Sequence, residues 1–151
     1  MHIGVPREIK PLEGRVGLIP AACSGLVSAG HAVYIESGAG AQSGYSDEAY
    51  RAAGAQITAN AAELYEQGQL IVKVKEPLEG DLRYLRSDHI LFSYLHLAAN
   101  AALTRNLCSI GLTALAFETV QLASGELPLL APMSDICLLY TSDAADEVVP
   151  V

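Results

Sequence analysis

The stretch His89-Ile-Leu-Phe-Ser-Tyr-Leu-His-Leu-Ala-Ala-Asn-Ala-Ala-Leu-Thr-Arg-Asn-Leu-Cys-Ser-Ile-Gly-Leu-Thr-Ala-Leu-Ala-Phe117 decides the architecture. It opens on an apolar, β-prone run, His89–Tyr94, and closes on another, Thr113–Phe117. Between them Asn100 is placed as an N-cap, Leu103, Leu107 and Ile110 recur on one helical face, and Gly111 is placed as the stop. A strand, a helix and a strand joined this tightly form a βαβ unit, and such a unit lays its two strands parallel in one sheet.

The same punctuation recurs outward from that unit. Strands are predicted at His2–Val5, Ala32–Ile35, Gln56–Thr58 and Leu70–Val74. Pro20 suits the first position of a helix that stops at Gly30. Ser46 suits an N-cap, with Asp47 and Glu48 placed well against the positive end of a helix that stops at Gly54. Asn60, with Glu63 three residues on, forms a start resembling a capping box, and Gly68 is the stop. A Ser124-Gly125 turn follows the last strand. Strands alternating with helices in this way predict an α/β chain with a doubly wound parallel sheet, Rossmann-like or flavodoxin-like.

Composition agrees and narrows the function. Of 151 residues, 51% are hydrophobic and 6% aromatic, with no Trp, so the core is built from small aliphatic side chains. Central parallel strands, covered on both faces, have this character. A net charge of −8 without a Lys/Arg cluster excludes binding nucleic acid through phosphate neutralisation. Cys23, Cys108 and Cys137 lack metal-site spacing and leave one unpaired, which favours a reducing compartment. The opening residues carry no signal-peptide run. The uncharged window Val16–Ile35 is broken by Pro20, Gly25, Gly30 and His31. The expectation is a soluble, cytoplasmic protein.

In open parallel sheets ligands bind at the carboxyl ends of the strands. Lys75 and His96 both follow predicted strands, so one crevice is able to hold both. From position alone, a solvated lysine and a structural histidine are equally good readings. Arg15 sits in the Gly-flanked run Glu13-Gly-Arg-Val-Gly17, where a guanidinium is able to clamp a carboxylate with two hydrogen bonds, although by itself it reads as a surface arginine. The run Gly38-Ala-Gly-Ala-Gln-Ser-Gly44 tempts a nucleotide-binding reading. Its glycine spacing is wrong for one, Asp47 and Glu48 would repel a pyrophosphate, and no acid ends a strand about 20 residues later. It reads as a structural turn.

Several segments taken together are more specific: Ile3-Gly-Val-Pro-Arg-Glu8, Arg15-Val-Gly-Leu-Ile-Pro20, Glu36-Ser-Gly-Ala-Gly40, Lys73-Val-Lys-Glu-Pro77, Tyr94-Leu-His-Leu-Ala98, Phe117-Glu-Thr-Val120 and Leu129-Leu-Ala-Pro-Met-Ser134. In their order and spacing they resemble the N-terminal half of the alanine dehydrogenase family. The neighbouring nicotinamide nucleotide transhydrogenases share much of the opening pattern, but typically replace the residues that stand here as Lys75 and His96. The resemblance implies NAD-linked oxidation of L-alanine to pyruvate and ammonia, and the reverse, in a homo-oligomer. It implies that Arg15 and Lys75 hold the substrate carboxylate, that His96 is catalytic, and that Met133 borders the substrate and Ser134 the NAD cofactor. Asp135 stands where glutamate is common. A non-catalytic α/β module that binds a small carboxylate is the reading from another class.

The family's cofactor domain, with its Gly-rich fingerprint, is not in the sequence, so the sheet domain, residues 1–136, is expected to be the substrate-binding part and incomplete. After Ile136 the chain reads Cys137-Leu-Leu-Tyr-Thr-Ser-Asp-Ala-Ala-Asp-Glu147, which looks like the translation of a sequencing-library adapter and is read as a non-native tail. Such a tail has no evolved complementarity to the domain. Deleting residues 137–151 is therefore expected to change stability by less than about 1 kcal/mol. Urea midpoints of chains ending at Ile136 and Val151 measure this, and a midpoint clearly lowered by the deletion refutes it.

Overall fold

In the computed structural model residues 1–133 are described, and they fall in two compact units, Met1–Ala116 and Phe117 onward. The first unit holds six strands, β1 (His2–Val5), β2 (Ala32–Glu36), β3 (Gln56–Thr58), β4 (Leu70–Val72), β5 (Ile90–Ser93) and β6 (Thr113–Ala116). All pairings are parallel and the order across the sheet is β3-β2-β1-β4-β5-β6. That is the order of dinucleotide-binding sheets and not the flavodoxin order, so of the two folds expected the Rossmann-like one is found.

Helices α1 (Pro20–Ser28) and α2 (Asp47–Ala52) connect the strands on one side of β1, while α3 (Ala61–Gln67), α4 (Glu79–Leu82) and α5 (Ala101–Ile110) serve the other. Right-handed crossovers running in opposite directions from the centre place these two groups on opposite faces. Leu64, Tyr65, Ile71, Leu91, Leu103 and Leu107 pack together on the face of α3 and α5. On the other face lie Ile3 and Val5 of β1, in register with Val33 and Ile35 of β2, all almost fully buried.

The predicted helix starts hold atom by atom. Ser46 Oγ accepts from Ala49 N–H at 3.3 Å, Asn60 Oδ1 from Glu63 N–H at 3.0 Å, and Asn100 Oδ1 from Leu103 N–H at 3.0 Å. Each cap of this kind contributes about 1 kcal/mol. Gly111 closes α5 with φ 80°, in the left-handed region. Gly68 ends α3 for another reason. Its φ is an ordinary −73°, but a Cβ there would lie 2.6 Å from Ile71 Cδ1. The short helix α4, inside Glu76–Asp88, is a finding that the apolar periodicity does not announce.

β4 stops two residues earlier than its apolar run suggests, and Lys73 is 1% exposed. Its ammonium lies 3.3 Å from a carboxylate oxygen of Glu8 and 3.3 Å from one of Asp81. Asp81 also accepts from the Tyr65 hydroxyl at 3.1 Å and from Leu78 N–H at 3.0 Å. The exits of β1 and β4 are thus joined by a buried charge cluster where the strand order reverses.

The second unit, among its described residues, has a 3-10 turn at Phe117–Thr119, the expected turn at Ser124-Gly125 with Gly125 at φ 90°, and helical residues 131–133. No helix among the described residues is long and apolar enough to cross a membrane.

His89, 1% exposed, reads as a structural residue with a pH signature. Its Nδ1 accepts from Arg86 N–H at 3.1 Å and its Nε2 donates to Tyr65 C=O at 3.0 Å, a pattern that suits the neutral ring. Burial, with the nearby Arg86 guanidinium, lowers its pKa below the ordinary 6.5. As pH falls below about 6.5 the unfolded chain therefore takes up a proton more readily than the folded one, so this contribution is present above that pH and is lost through the depressed folded value. Urea midpoints are expected to fall between about pH 7 and about pH 5, with a smaller fall in His89→Gln. An equal fall in the variant would exclude His89 as the source.

Candidate functional site

The site begins with amides that the sheet cannot satisfy. β1 and β4 pair only through Ile3 with Leu70 and Gly4 with Ile71, and beyond that point the two strands diverge. Side-chain carboxylates replace the missing strand partners. Glu36, at the end of β2, accepts from Arg7 N–H at 2.9 Å. Glu8 accepts from Val74 N–H at 2.7 Å and from Lys75 N–H at 3.4 Å. The Glu8 side chain is only 3% exposed, and burial pushes its pKa up against the lowering influence of Lys73 and of these amides.

Arg15 comes from the long loop between β1 and α1. The loop is pinned on several sides. The Ser43 hydroxyl donates to Gly14 C=O at 2.8 Å, and the Tyr50 hydroxyl donates to Leu18 C=O at 2.9 Å. Lys10 forms an ion pair with Glu76 beyond β4. Gly17 lies so close to β4 that a Cβ would sit 2.8 Å from Val72 O. Arg15 lies in a restrained segment, and its guanidinium meets a carboxylate at two points. The carboxylate is internal: Arg15 Nε donates to Glu13 Oε1 at 2.8 Å and Nη2 to Oε2 at 2.6 Å. This pairing lowers the Glu13 pKa and raises that of Arg15. Glu8, Glu13, Arg15 and Gln42 contribute to the wall of a polar recess of about 10 Å³, room for roughly one water.

Lys75 lies three residues past the end of β4 and is half-buried. Among the described residues no carboxylate oxygen lies within ion-pair distance of its ammonium. Its charge nevertheless helps to lower the pKa values of both Glu13 and Glu76.

His96 lies three residues past β5, exposed, with φ 49°. A non-glycine residue in this left-handed region costs about 1–2 kcal/mol of backbone strain, a cost often found at functional positions. Its ring stacks on Tyr94 at 6.2 Å between centroids and 15° between planes. Tyr94 N–H in turn donates to Val74 C=O at 3.2 Å. Arg15, Lys75 and His96 thus come from the carboxyl-end loops of β1, β4 and β5.

Met133 belongs to the second unit, half-buried in helical residues 131–133. Ser134 and Asp135 lie outside the described residues, as does everything read as tail. Glu8, Glu13 and Lys73 escaped the sequence reading. Their signal was present, since all three lie within or beside the motifs that carry the family resemblance, but no residue pattern announces which carboxylate meets which amide.

The Gly-rich loop does not fit a pyrophosphate. Asp47 already accepts from Gly38 N–H at 2.9 Å and from the Ser37 hydroxyl at 2.8 Å, placing a carboxylate where a phosphate would need free donors. The loop instead supports Gly14 through Ser43. Cys23 is no nucleophile, because burial pushes its thiol up to about 11.

The family model described as "Alanine dehydrogenase/PNT, N-terminal domain" matches residues 4–137. An alanine dehydrogenase of Methanococcus maripaludis is 52% identical over 136 residues, which is 90% of this chain and 36% of that protein. One of Mycobacterium tuberculosis is 46% identical over the same length, 37% of its own. A solved L-alanine dehydrogenase structure superposes with a TM-score of 0.86 at 50% identity, covering 89% of this chain and 37% of that one. A transhydrogenase structure from Sinorhizobium meliloti gives 0.74 at 29% identity, covering 78% of this chain and 35% of that one. The chain therefore spans little more than a third of the proteins it matches, and it belongs to the alanine dehydrogenase/PNT N-terminal domain family.

Proposed function

We propose that residues 1–136 are the substrate-binding domain of an NAD-linked alanine dehydrogenase, a cytoplasmic homo-oligomer in amino-acid catabolism that oxidises L-alanine with water to pyruvate and ammonia. What supports this reading is that Arg15, Lys75 and His96 stand on the loops that follow three adjacent strands, β1, β4 and β5, with Arg15 already holding a carboxylate at two points. The retention of Lys75 and His96 favours the dehydrogenase over the transhydrogenase.

Charge counting assigns the roles. Glu13 neutralises Arg15, so Lys75 supplies the positive charge that draws an anion. A 2-oxo or 2-amino acid then sets its carboxylate between Lys75 and the guanidinium, which fixes the adjacent carbon in one place. His96 exchanges a proton with the amine or the carbinolamine oxygen at that carbon, the work of an imidazole near neutral pH. Met133 borders the substrate and Ser134 the nicotinamide in this reading. The described residues do not fit the phosphates of NAD, so no step is assigned through the cofactor here.

Two outcomes test the reading. Pyruvate titrated into the 151-residue chain is expected to move the NMR signals of Arg15, Lys75 and His96, and Lys75→Met is expected to weaken that binding by about tenfold or more, the loss of a charge-assisted contact. Binding unaffected by the variant sinks the assignment, and signals that respond to NADH but not pyruvate favour the transhydrogenase reading. The same chain incubated with alanine and NAD is expected to form no NADH, because no described loop holds the pyrophosphate. NADH formation would refute that.

A further inference from the structure

The feature that the proposed mechanism leaves unused is Glu8, which follows β1 and touches all three residues leaving β4. Its Oε2 lies 3.3 Å from Lys73 Nζ, while Oε1 accepts from Val74 N–H at 2.7 Å and from Lys75 N–H at 3.4 Å. A carboxylate with its side chain 3% exposed would be costly if it merely filled space. Here it completes the ladder where β1 and β4 separate, at the place where an open α/β sheet forms its ligand crevice.

The grip extends to both cations and towards His96. Lys75 is held directly through its backbone N–H. Arg15 lies seven residues after Glu8 on the same loop, responds to the charge of Glu8, and shares with it the wall of the small recess. Val74, held by Glu8 through its N–H, uses its C=O to accept from Tyr94 N–H, and Tyr94 stacks on His96. One carboxylate therefore ties the start of the loop that carries Arg15 to the backbone of Lys75 and, through Val74, to the exit of β5.

We infer that Glu8 is a positioning residue for the carboxylate-binding pair: by tying the exit of β1 to residues 73–75 it sets the separation of Arg15 and Lys75. This rests on the functional reading above for its ligand, pyruvate. Glu8 acts through the backbone of Lys75 and is not itself a catalytic group. The buried Lys73 keeps Asp81 as a second partner at 3.3 Å, so removing Glu8 does not leave that ammonium alone.

The test uses the 151-residue chain with Glu8→Ala, Glu8→Gln and Glu8→Asp. Two measurements are made on each: pyruvate affinity, and hydrogen exchange at the Val74 and Lys75 amides. Asn60→Ala, which removes the cap of α3 beside the edge strand β3, serves as a variant destabilised away from the site. Glu8→Ala is expected to weaken pyruvate binding by about tenfold and to speed exchange at both amides. Glu8→Gln keeps an oxygen acceptor and is expected to restore most of the binding and the protection. Glu8→Asp keeps the charge but is too short to reach both amides. It is expected to behave like the alanine variant, and decides the matter if Glu8→Ala does not fold. Asn60→Ala is expected to lose stability with pyruvate affinity unchanged.

Unchanged exchange at Val74 and Lys75 in Glu8→Ala or Glu8→Asp overturns the inference, whether or not pyruvate binds. Faster exchange with pyruvate affinity unchanged also overturns it, because the separation then does not matter to the ligand. If the unaltered chain binds no pyruvate, the functional reading fails, and faster exchange still supports Glu8 as the residue that ties β1 to β4.

Discussion

A buried ammonium between two carboxylates holds the centre of this domain together. Lys73 sits between Glu8, from the exit of β1, and Asp81, from the helix after β4, with the Tyr65 hydroxyl also on Asp81. An isolated charge at 1% exposure would be expelled or neutralised, and a buried pair that loses a partner costs about 3–5 kcal/mol. The cluster is therefore a constraint on geometry more than a source of stability. Each member is tolerable only while the others stay in place. It lies where the order β3-β2-β1-β4-β5-β6 reverses direction, between β1 and β4, two adjacent strands that send their connections to opposite faces.

That reversal explains the form of the site. Backbone amides past the last paired residues of β1 and β4 have no strand to bond, and leaving them unsatisfied in a part-buried crevice would cost about 1–3 kcal/mol each. Glu36 and Glu8 supply the missing acceptors on the two sides of β1. One of these acids, Glu8, is itself balanced by the buried Lys73. Further along the same loop Glu13 meets the Arg15 guanidinium at two points, which lowers the Glu13 pKa and raises that of Arg15.

The Gly-rich loop illustrates how a motif changes meaning with its partners. Glycines after a strand suggest phosphate binding, yet Asp47 takes the donors that a phosphate would need. The loop packs instead against the segment carrying Arg15, where Ser43 bonds Gly14 and the Gln42 side chain would lie 3.0 Å from a Cβ at Gly14. Gly40 approaches the Tyr50 ring so closely that a Cβ would sit 2.7 Å from it. Gly40 is there for close packing, whereas Gly38 and Gly44 turn the chain with φ 74° and 81°.

Local signals sufficed for the six strands, the caps at Ser46, Asn60 and Asn100, and the stop at Gly111, because each depends on residues a few positions apart. The parallel sheet followed from their alternation, and Arg15, Lys75 and His96 were visible as polar residues beside strand ends. The strand order was not legible, since a Rossmann-like and a flavodoxin-like sheet share the same local pattern. Nor was the contact between Glu8 and Val74, 66 residues apart, or the burial of Lys73 in a run that reads as a half-exposed strand end. Side-chain periodicity reports which face of an element meets the core. Which carboxylate reaches which amide depends on where the strands diverge, and only the tertiary structure decides that.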